Sequence, residues 1–283
     1  MLFHESTKAI LDWLVQQPNV KEESITDWLL FNLSKRCRQL KYYAFSRHIE
    51  SANGADWEWW VLTTHYAYRF RVQAKKVKPR ADNYSAICYS NSNGMQIDLL
   101  LASSKTDSAF PLYMFYSSEE QDTSSVLEYY PCAELSEIIK WCKPCSNGAF
   151  LSPAQLVYDE VLAKPKAVIS ASTLVDISLK LSSLDLVFRS GDSNSINATV
   201  EQYLNKLDRQ CQQTKQNGFR HSFENNSNRY LHGTVPHWLS FIIGDKQSNV
   251  ELSDWFEGEF RHQLPNVAGV AVLDLRQGFD IQE

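Results

Sequence analysis

A chain of 283 residues, 43% hydrophobic and 22% charged, can bury a substantial core and has an ordinary globular composition. Apolar runs such as "WLSFIIG" fall far short of a membrane span, and "MLFHESTKAI" lacks the basic-then-apolar pattern of an export signal, so neither a membrane nor a secreted protein is expected. The net charge of −5 by itself speaks against a polyanionic partner, and six irregularly spaced cysteines fit free thiols in a reducing cytoplasm better than a disulfide scaffold.

Apolar positions Ile10, Leu11, Trp13, Leu14 and Val15 predict a first helix over residues 6–17, ended by Pro18. A second helix is expected over 24–39, with Ser24 and Asp27 as a weak capping box and Ile25, Leu29, Leu30 and Leu33 as its buried stripe. Residues 42–49 suit a first strand, followed by the turn "SANG". Residues 56–63, rich in Trp and Val, and residues 67–77 are the best-defined strands. In the latter, Tyr68, Phe70, Val72 and Ala74 point one way and Arg69, Arg71, Gln73 and Lys75 the other. A helix over 95–103 then precedes "PLYMFY", apolar throughout as a strand covered on both faces should be. The intervening length suits a helical crossover. Further on, helices are expected over 153–162, 174–184 and 197–214, and strands over 239–243 and 267–275.

Charge is unevenly distributed. Between Lys35 and Arg80 there are eleven basic residues and three acids, Glu50, Asp56 and Glu58, so this window carries +8 and the rest of the chain −13. Such a field can gather a polyanion on an otherwise acidic protein, although a solvated charged face reads equally well from charge alone. Period-two geometry puts Asp56 and Glu58 on one face of their strand and Gln73 and Lys75 on one face of the next. If those faces align, two carboxylates, an amide oxygen and an ammonium converge. Hard oxygen donors of this kind suit Mg²⁺ or Mn²⁺, which can polarise a phosphodiester, while Lys75 can stabilise charge developing on the phosphate oxygens. Arg69, Arg71, Lys76 and Lys78 are candidates for contacts to nucleic-acid phosphates.

Asp56 at the head of the second strand followed by "QAK", Gln73 to Lys75, on the third resembles the PD-(D/E)xK, restriction-endonuclease-like nuclease superfamily in its QxK variant. The longer combination "EESITD…GADWEWW…RVQAK…PLYMFY" resembles an uncharacterised bacterial family of nuclease fold linked to phage defence, over about residues 22–118. The resemblance implies an α/β restriction-endonuclease-like core, a mixed central sheet flanked by helices over 1–150, with a mainly helical elaboration over 151–283 packed on it. It implies a Mg²⁺-dependent nuclease acting on DNA rather than RNA, and a defence effector. Asp56, Gln73 and Lys75 would carry the chemistry, with a further acid from the preceding helix in the metal shell. Glu23 is the nearest match for that acid, and Glu50 and Glu58 are rivals. A homodimer and an activating partner protein or ligand also belong to this expectation.

Other readings compete. Asp56 after "GA" can be a turn residue, and Gln73 and Lys75 can be the wet face of an edge strand. The same fold can bind nucleic acid or act as a scaffold without cutting. "WCKPC", with Cys142 and Cys145, resembles a thioredoxin redox string, but "AELSEIIK" reads as a helix leading into it, placing Cys142 at the helix end that does not lower a thiol pKa. "LHGTVPH" reads as a surface loop.

Overall fold

A computed structural model of the chain describes residues 2–45, 53–64, 66–78, 84–117, 148–163, 179–185, 231–232, 235–244, 258–259 and 266–277. Helix α1 (Leu2–Gln16) buries Leu2, Phe3, Ile10, Leu11 and Leu14, and α2 (Glu22–Arg36) buries Ile25, Leu29, Leu30 and Leu33, the stripe expected from the sequence. The Ser24 capping box does not form. The helix begins two residues earlier, after an extended Lys21 that makes no side-chain cap bond. At the start of α1 the Phe3 and His4 amides donate to the two carboxylate oxygens of Asp185, at 3.0 and 2.7 Å, a cap supplied from 181 residues away.

The strands are β1 (Leu40–Ala44), β2 (Trp57–Leu62), β3 (Ala67–Lys76), the short β4 (Ser90–Asn91) and β5 (Gly94–Met95), β6 (Phe110–Tyr116), β7 (Ala149–Pro153), β8 (Leu179–Lys180), β9 (Leu231–His232) and β10 (Gly269–Asp274). Eight of them form one mixed sheet in the order β1-β10-β2-β3-β6-β7-β8, with β9 added to the start of β3. β2 and β3 are antiparallel; β10 runs parallel to β2, and β6 parallel to β3. Between β3 and β6 lies α3 (Gln96–Thr106), the crossover that a parallel pair requires. Every residue of β6 is buried, as its uninterrupted apolar sequence predicts.

Alternation sorts the side chains into two cores. Trp57, Tyr68, Phe70, Val72, Ala74, Leu112, Met114 and Tyr116 pack with α1 and α2 on one side. Trp60, Tyr113, Phe115, Phe150, Val270 and Val272 pack on the other with α3, α4 (Ala154–Ala163) and α5 (Leu239–Ile243). The chain is therefore α/β, with helices on both faces of a mixed sheet.

The second half of the sequence is built into this sheet, since β10 lies between β1 and β2 and β7 and β8 extend the far edge. Residues 239–243, expected as a strand, form α5 instead. A five-residue apolar run does not define its own period, and here Pro236 opens a turn that leads into helix. The described part of 174–184 is β8 and a 3₁₀ turn (Leu181–Ser183) where helix was expected, with helical backbone only from Leu184, and "LHGTVPH", expected as a loop, contributes β9. The expected helix over 197–214 lies outside the described residues.

Candidate functional site

The site starts from a turn. Gly54 has φ +76°, a left-handed conformation that costs glycine little, and it lies against α3. A Cβ there would stand 2.4 Å from the carbonyl oxygen of Gln96 and 2.6 Å from the amide nitrogen of Leu100, so only glycine fits. The Ala55 amide donates to Asn53 Oδ1 at 3.0 Å, and Ser103 Oγ of α3 donates to the Asn53 carbonyl at 2.8 Å. This clamp delivers Asp56 to the threshold of β2, where its amide donates to the Val72 carbonyl at 2.9 Å.

Antiparallel pairing then sets the neighbours. Trp57 lies opposite Val72 and Glu58 opposite Arg71, which places Asp56 across from Gln73. The Asp56 carboxylate accepts from Gln73 Nε2 at 2.5 Å and from the Ala74 amide at 2.9 Å. Both bonds fall on Oδ2, and among the described residues Oδ1 accepts none. The other end of the Gln73 amide, Oε1, accepts from Gln96 Nε2 at 2.8 Å, and Gln73 Nε2 also donates to the Ala74 carbonyl at 3.0 Å. Lys75, two residues on along the same face, reaches Glu22 at the first position of α2, Nζ to Oε1 3.5 Å. The second oxygen of Glu22 accepts the Lys76 amide at 3.0 Å. Asp56, Gln73, Lys75 and Glu22 thus meet at the end of the sheet where β2 begins and β3 finishes.

This face is not wet. Gln73 and Lys75 are only 1% and 5% exposed, because β3 is a central strand covered by α3. Burial pushes the Asp56 carboxyl up to about 7, against the opposing pull of the Lys75 ammonium and with a further upward push from the Glu22 charge. Burial also raises Glu22, again countered by Lys75. Tyr113 of β6, paired across from Gln73, is fully buried; its hydroxyl has no hydrogen-bond partner among the described residues, and its pKa is driven upward by desolvation and then by the Asp56 charge.

Glu58 does not join Asp56. It shares the face, but its carboxylate binds Arg69 Nη2 at 2.8 Å, Arg71 Nε at 3.4 Å and Trp60 Nε1 at 2.8 Å. Arg71 also pairs with Asp107, and Arg69 donates to the Asp107 carbonyl at 2.9 Å. The two guanidiniums expected at phosphates are therefore spent on a buried ion cluster. Lys76 is likewise engaged, its Nζ donating to the Pro18 and Val20 carbonyls at 2.7 and 2.6 Å and so tying down the α1–α2 connection. Lys78 is exposed. Glu23 is exposed on the first turn of α2 and touches Asp56 only through its long-range charge; the helix acid at the site is Glu22. Glu50, Cys142 and Cys145 lie outside the described residues.

Among the described residues no group of three or more His, Cys, Asp or Glu side chains converges. The donors that do meet are two carboxylates, one side-chain amide and a backbone carbonyl beside a lysine. All the ligand atoms are hard oxygens, and Mg²⁺ keeps several of its waters, so the set fits a Mg²⁺ or Mn²⁺ ion. In the described arrangement, however, the amide turns its NH₂ rather than its oxygen to Asp56.

A family profile covers residues 2–275, nearly the whole sheet and every residue of this site. The chain belongs to DUF6615, a family of unknown function. No curated protein and no solved structure matches it. No helix among the described residues of this DUF6615 chain is long and apolar enough to cross a membrane.

Three participants were not singled out from the sequence. Glu22 carried a usable signal: positions 22, 25, 26, 29 and 33 follow one helical stripe, so a carboxylate at 22 faces inward with Ile25 and Leu29. Gln96 and Tyr113 carried none, because each is brought to Gln73 only by the crossover and the parallel pairing of β6.

Proposed function

We propose that this chain is a divalent-metal-dependent phosphodiesterase that cuts nucleic acid, DNA in preference to RNA, on a restriction-endonuclease-like sheet. The observation that carries the reading is the meeting of Asp56, Gln73, Lys75 and Glu22 at one end of β2 and β3. Asp56 and Glu22 would hold a Mg²⁺ or Mn²⁺ ion through carboxylate oxygens, and Gln73 through its amide oxygen. When bound, such an ion polarises a phosphate and lowers the pKa of water. The protein's own part is positional and electrostatic. Lys75 is buried on a central strand and oriented by Glu22, so its ammonium would need little reorganisation to offset negative charge growing on phosphate oxygens. Asp56 is braced by the Ala74 amide, which fixes its carboxylate at the start of β2. Lys78, exposed just beyond β3, remains available for a backbone phosphate. The link to phage defence rests on the sequence resemblance alone.

A second reading, a nucleic-acid-binding or scaffold protein that does not cut, is favoured by one observation: Gln73 turns its NH₂ and not its amide oxygen toward Asp56, so it offers no ligand atom there. Incubating the purified chain with plasmid, single-stranded DNA and RNA in Mg²⁺, Mn²⁺ or EDTA separates the two. The nuclease reading expects cleavage only with metal, reduced at least about 100-fold in both Asp56→Ala and Lys75→Met. Binding without cleavage in every lane favours the second reading, and neither binding nor cleavage removes both.

A further inference from the structure

Around the Gln73 side chain three oxygens have no hydrogen-bond partner among the described residues: the Tyr113 hydroxyl, Gln96 Oε1 and Asp56 Oδ1. Asp56 accepts from Gln73 Nε2, Gln96 donates to Gln73 Oε1 at 2.8 Å, and Tyr113 stands next to Gln73 in the β3–β6 register. The ionisable groups that act most strongly on the hydroxyl are Asp56, Cys88 and Asp98, the last two flanking Gln96 in the chain. The Tyr113 ring is held in place. It stacks on Phe115 with centroids 5.4 Å apart, and Tyr84 closes on Phe115 at 4.8 Å. Tyr113 is fully buried whereas Asp56 and Gln96 are partly exposed, so the tyrosine forms the floor of the site and the other two its mouth.

A bare buried hydroxyl and a bare buried amide oxygen both cost stability, and folded proteins satisfy such groups with ordered water. Together the three atoms offer one donor and two acceptors. Their complement has a lone pair to accept with and two hydrogens to give, which describes a water molecule. A phosphate oxygen has no hydrogen for Gln96, and a cation leaves the Tyr113 hydrogen unpaired. An internal water makes roughly three hydrogen bonds, the number on offer here. We propose that Tyr113 and Gln96 hold a water beside Asp56, and that this water hydrolyses the phosphodiester. Tyr113 donates to it, and it donates to Gln96 Oε1 and Asp56 Oδ1. A carboxylate oxygen has two lone pairs, so Oδ1 can take this bond and still face a cation. In hydrolysis the water oxygen bonds to phosphorus and its proton passes to Asp56 Oδ1. The leaving sugar oxygen keeps the electron pair of the broken bond and takes a proton from solvent. The part in hydrolysis rests on the nuclease reading; the water site does not.

The test is oxygen-17 relaxation dispersion of water on the full chain, which counts internal waters that outlast molecular tumbling. Tyr113→Phe should lose one such water, and Gln96→Met, a second and independent variant, should lose the same one. Thermal and denaturant unfolding supply a sign. Deleting a truly bare hydroxyl should stabilise the fold, whereas deleting the donor to a held water should lower the folding equilibrium constant about threefold to tenfold. In the cleavage assay Tyr113→Phe should lower kcat about tenfold and leave KM in place, the loss of one hydrogen bond to the reacting water. An unchanged water count in both variants, or a Tyr113→Phe chain more stable than the unaltered one, overturns the water site. Loss of the water with kcat unchanged keeps the site and overturns its part in hydrolysis. An unaltered chain that cuts no nucleic acid removes the nuclease reading, while the water count still decides the site.

Discussion

Gln73 Nε2 lies 2.5 Å from Asp56 Oδ2, across a separation of 17 residues in the chain. The contact follows directly from the antiparallel register of β2 and β3, with no loop needed to bring the groups together. It places a carboxylate in a dry pocket where a proton competes with the amide NH₂ for the carboxylate.

That competition has a pH dependence. The Asp56 pKa is raised to about 7, chiefly by burial. Between about pH 4, where an unfolded aspartate titrates, and about pH 7, the folded chain holds a proton that the unfolded chain has released. This contribution to stability is fully present below about pH 4 and is lost as pH rises to about 7. Without divalent ions the melting temperature should therefore fall over this window, and Asp56→Asn should flatten the slope. Mn²⁺ affinity should climb with pH across the same window and level off above it. A slope unchanged in Asp56→Asn would assign the titration elsewhere.

Glu22 and Glu23 are adjacent in sequence and differ in place. Glu22 bonds to the Lys76 amide and faces Lys75, whereas Glu23 is exposed. Glu22→Gln should weaken Mn²⁺ binding and cleavage by about tenfold or more, consistent with removal of one charged oxygen ligand. Glu23→Gln should change either by less than about threefold, since its charge acts only through solvent-screened distance. Equal effects from the two variants would contradict the placement.

Glu58 should behave as a structural residue. Glu58→Gln leaves Arg69 and Arg71 without their shared buried counterion and should destabilise the fold by about 3–5 kcal/mol. Denaturant unfolding measures that loss. Residual folded protein at low temperature should keep its Mn²⁺ affinity, since the cluster is separate from Asp56. A selective loss of metal binding with unchanged stability would instead make Glu58 a ligand.

Gly54→Ala tests the turn that presents Asp56. The added methyl would meet the backbone of α3 at 2.4 Å in a left-handed conformation, and neither side can yield cheaply. A loss of about 1–3 kcal/mol is expected from strain alone, more if α3 shifts, with reduced Mn²⁺ affinity because Asp56 and Gln96 move apart. Thermal melts and Mn²⁺ titration of the same sample measure both.

Much of this architecture was legible from pattern. Alternation in 67–77 assigned Gln73 and Lys75 to one face and Val72 and Ala74 to the other, and the stripe of α2 was read with the right phase. Both patterns hold because strand and helix periods are local consequences of backbone geometry. The +8 window does not translate into free charge at Arg69, Arg71 and Lys75, for the complementary reason. Charges add along a sequence without regard to partners, and Glu22 and Asp107, both outside that window, draw Lys75 and Arg71 inward.

Local periodicity was thus enough to say which side chains share a face, and it grouped Asp56 and Glu58 with Gln73 and Lys75; the choice of Asp56 over Glu58 came from the resemblance to the QxK nucleases. Which acid completes them, that Glu58 belongs to the arginines, that a strand from residues 269–274 divides β1 from β2, and that Gln96 meets Gln73 were decided by long-range packing. Those contacts join segments whose separations carry no period, so their selection falls to the burial of two apolar faces and to the need of every buried polar group for a partner.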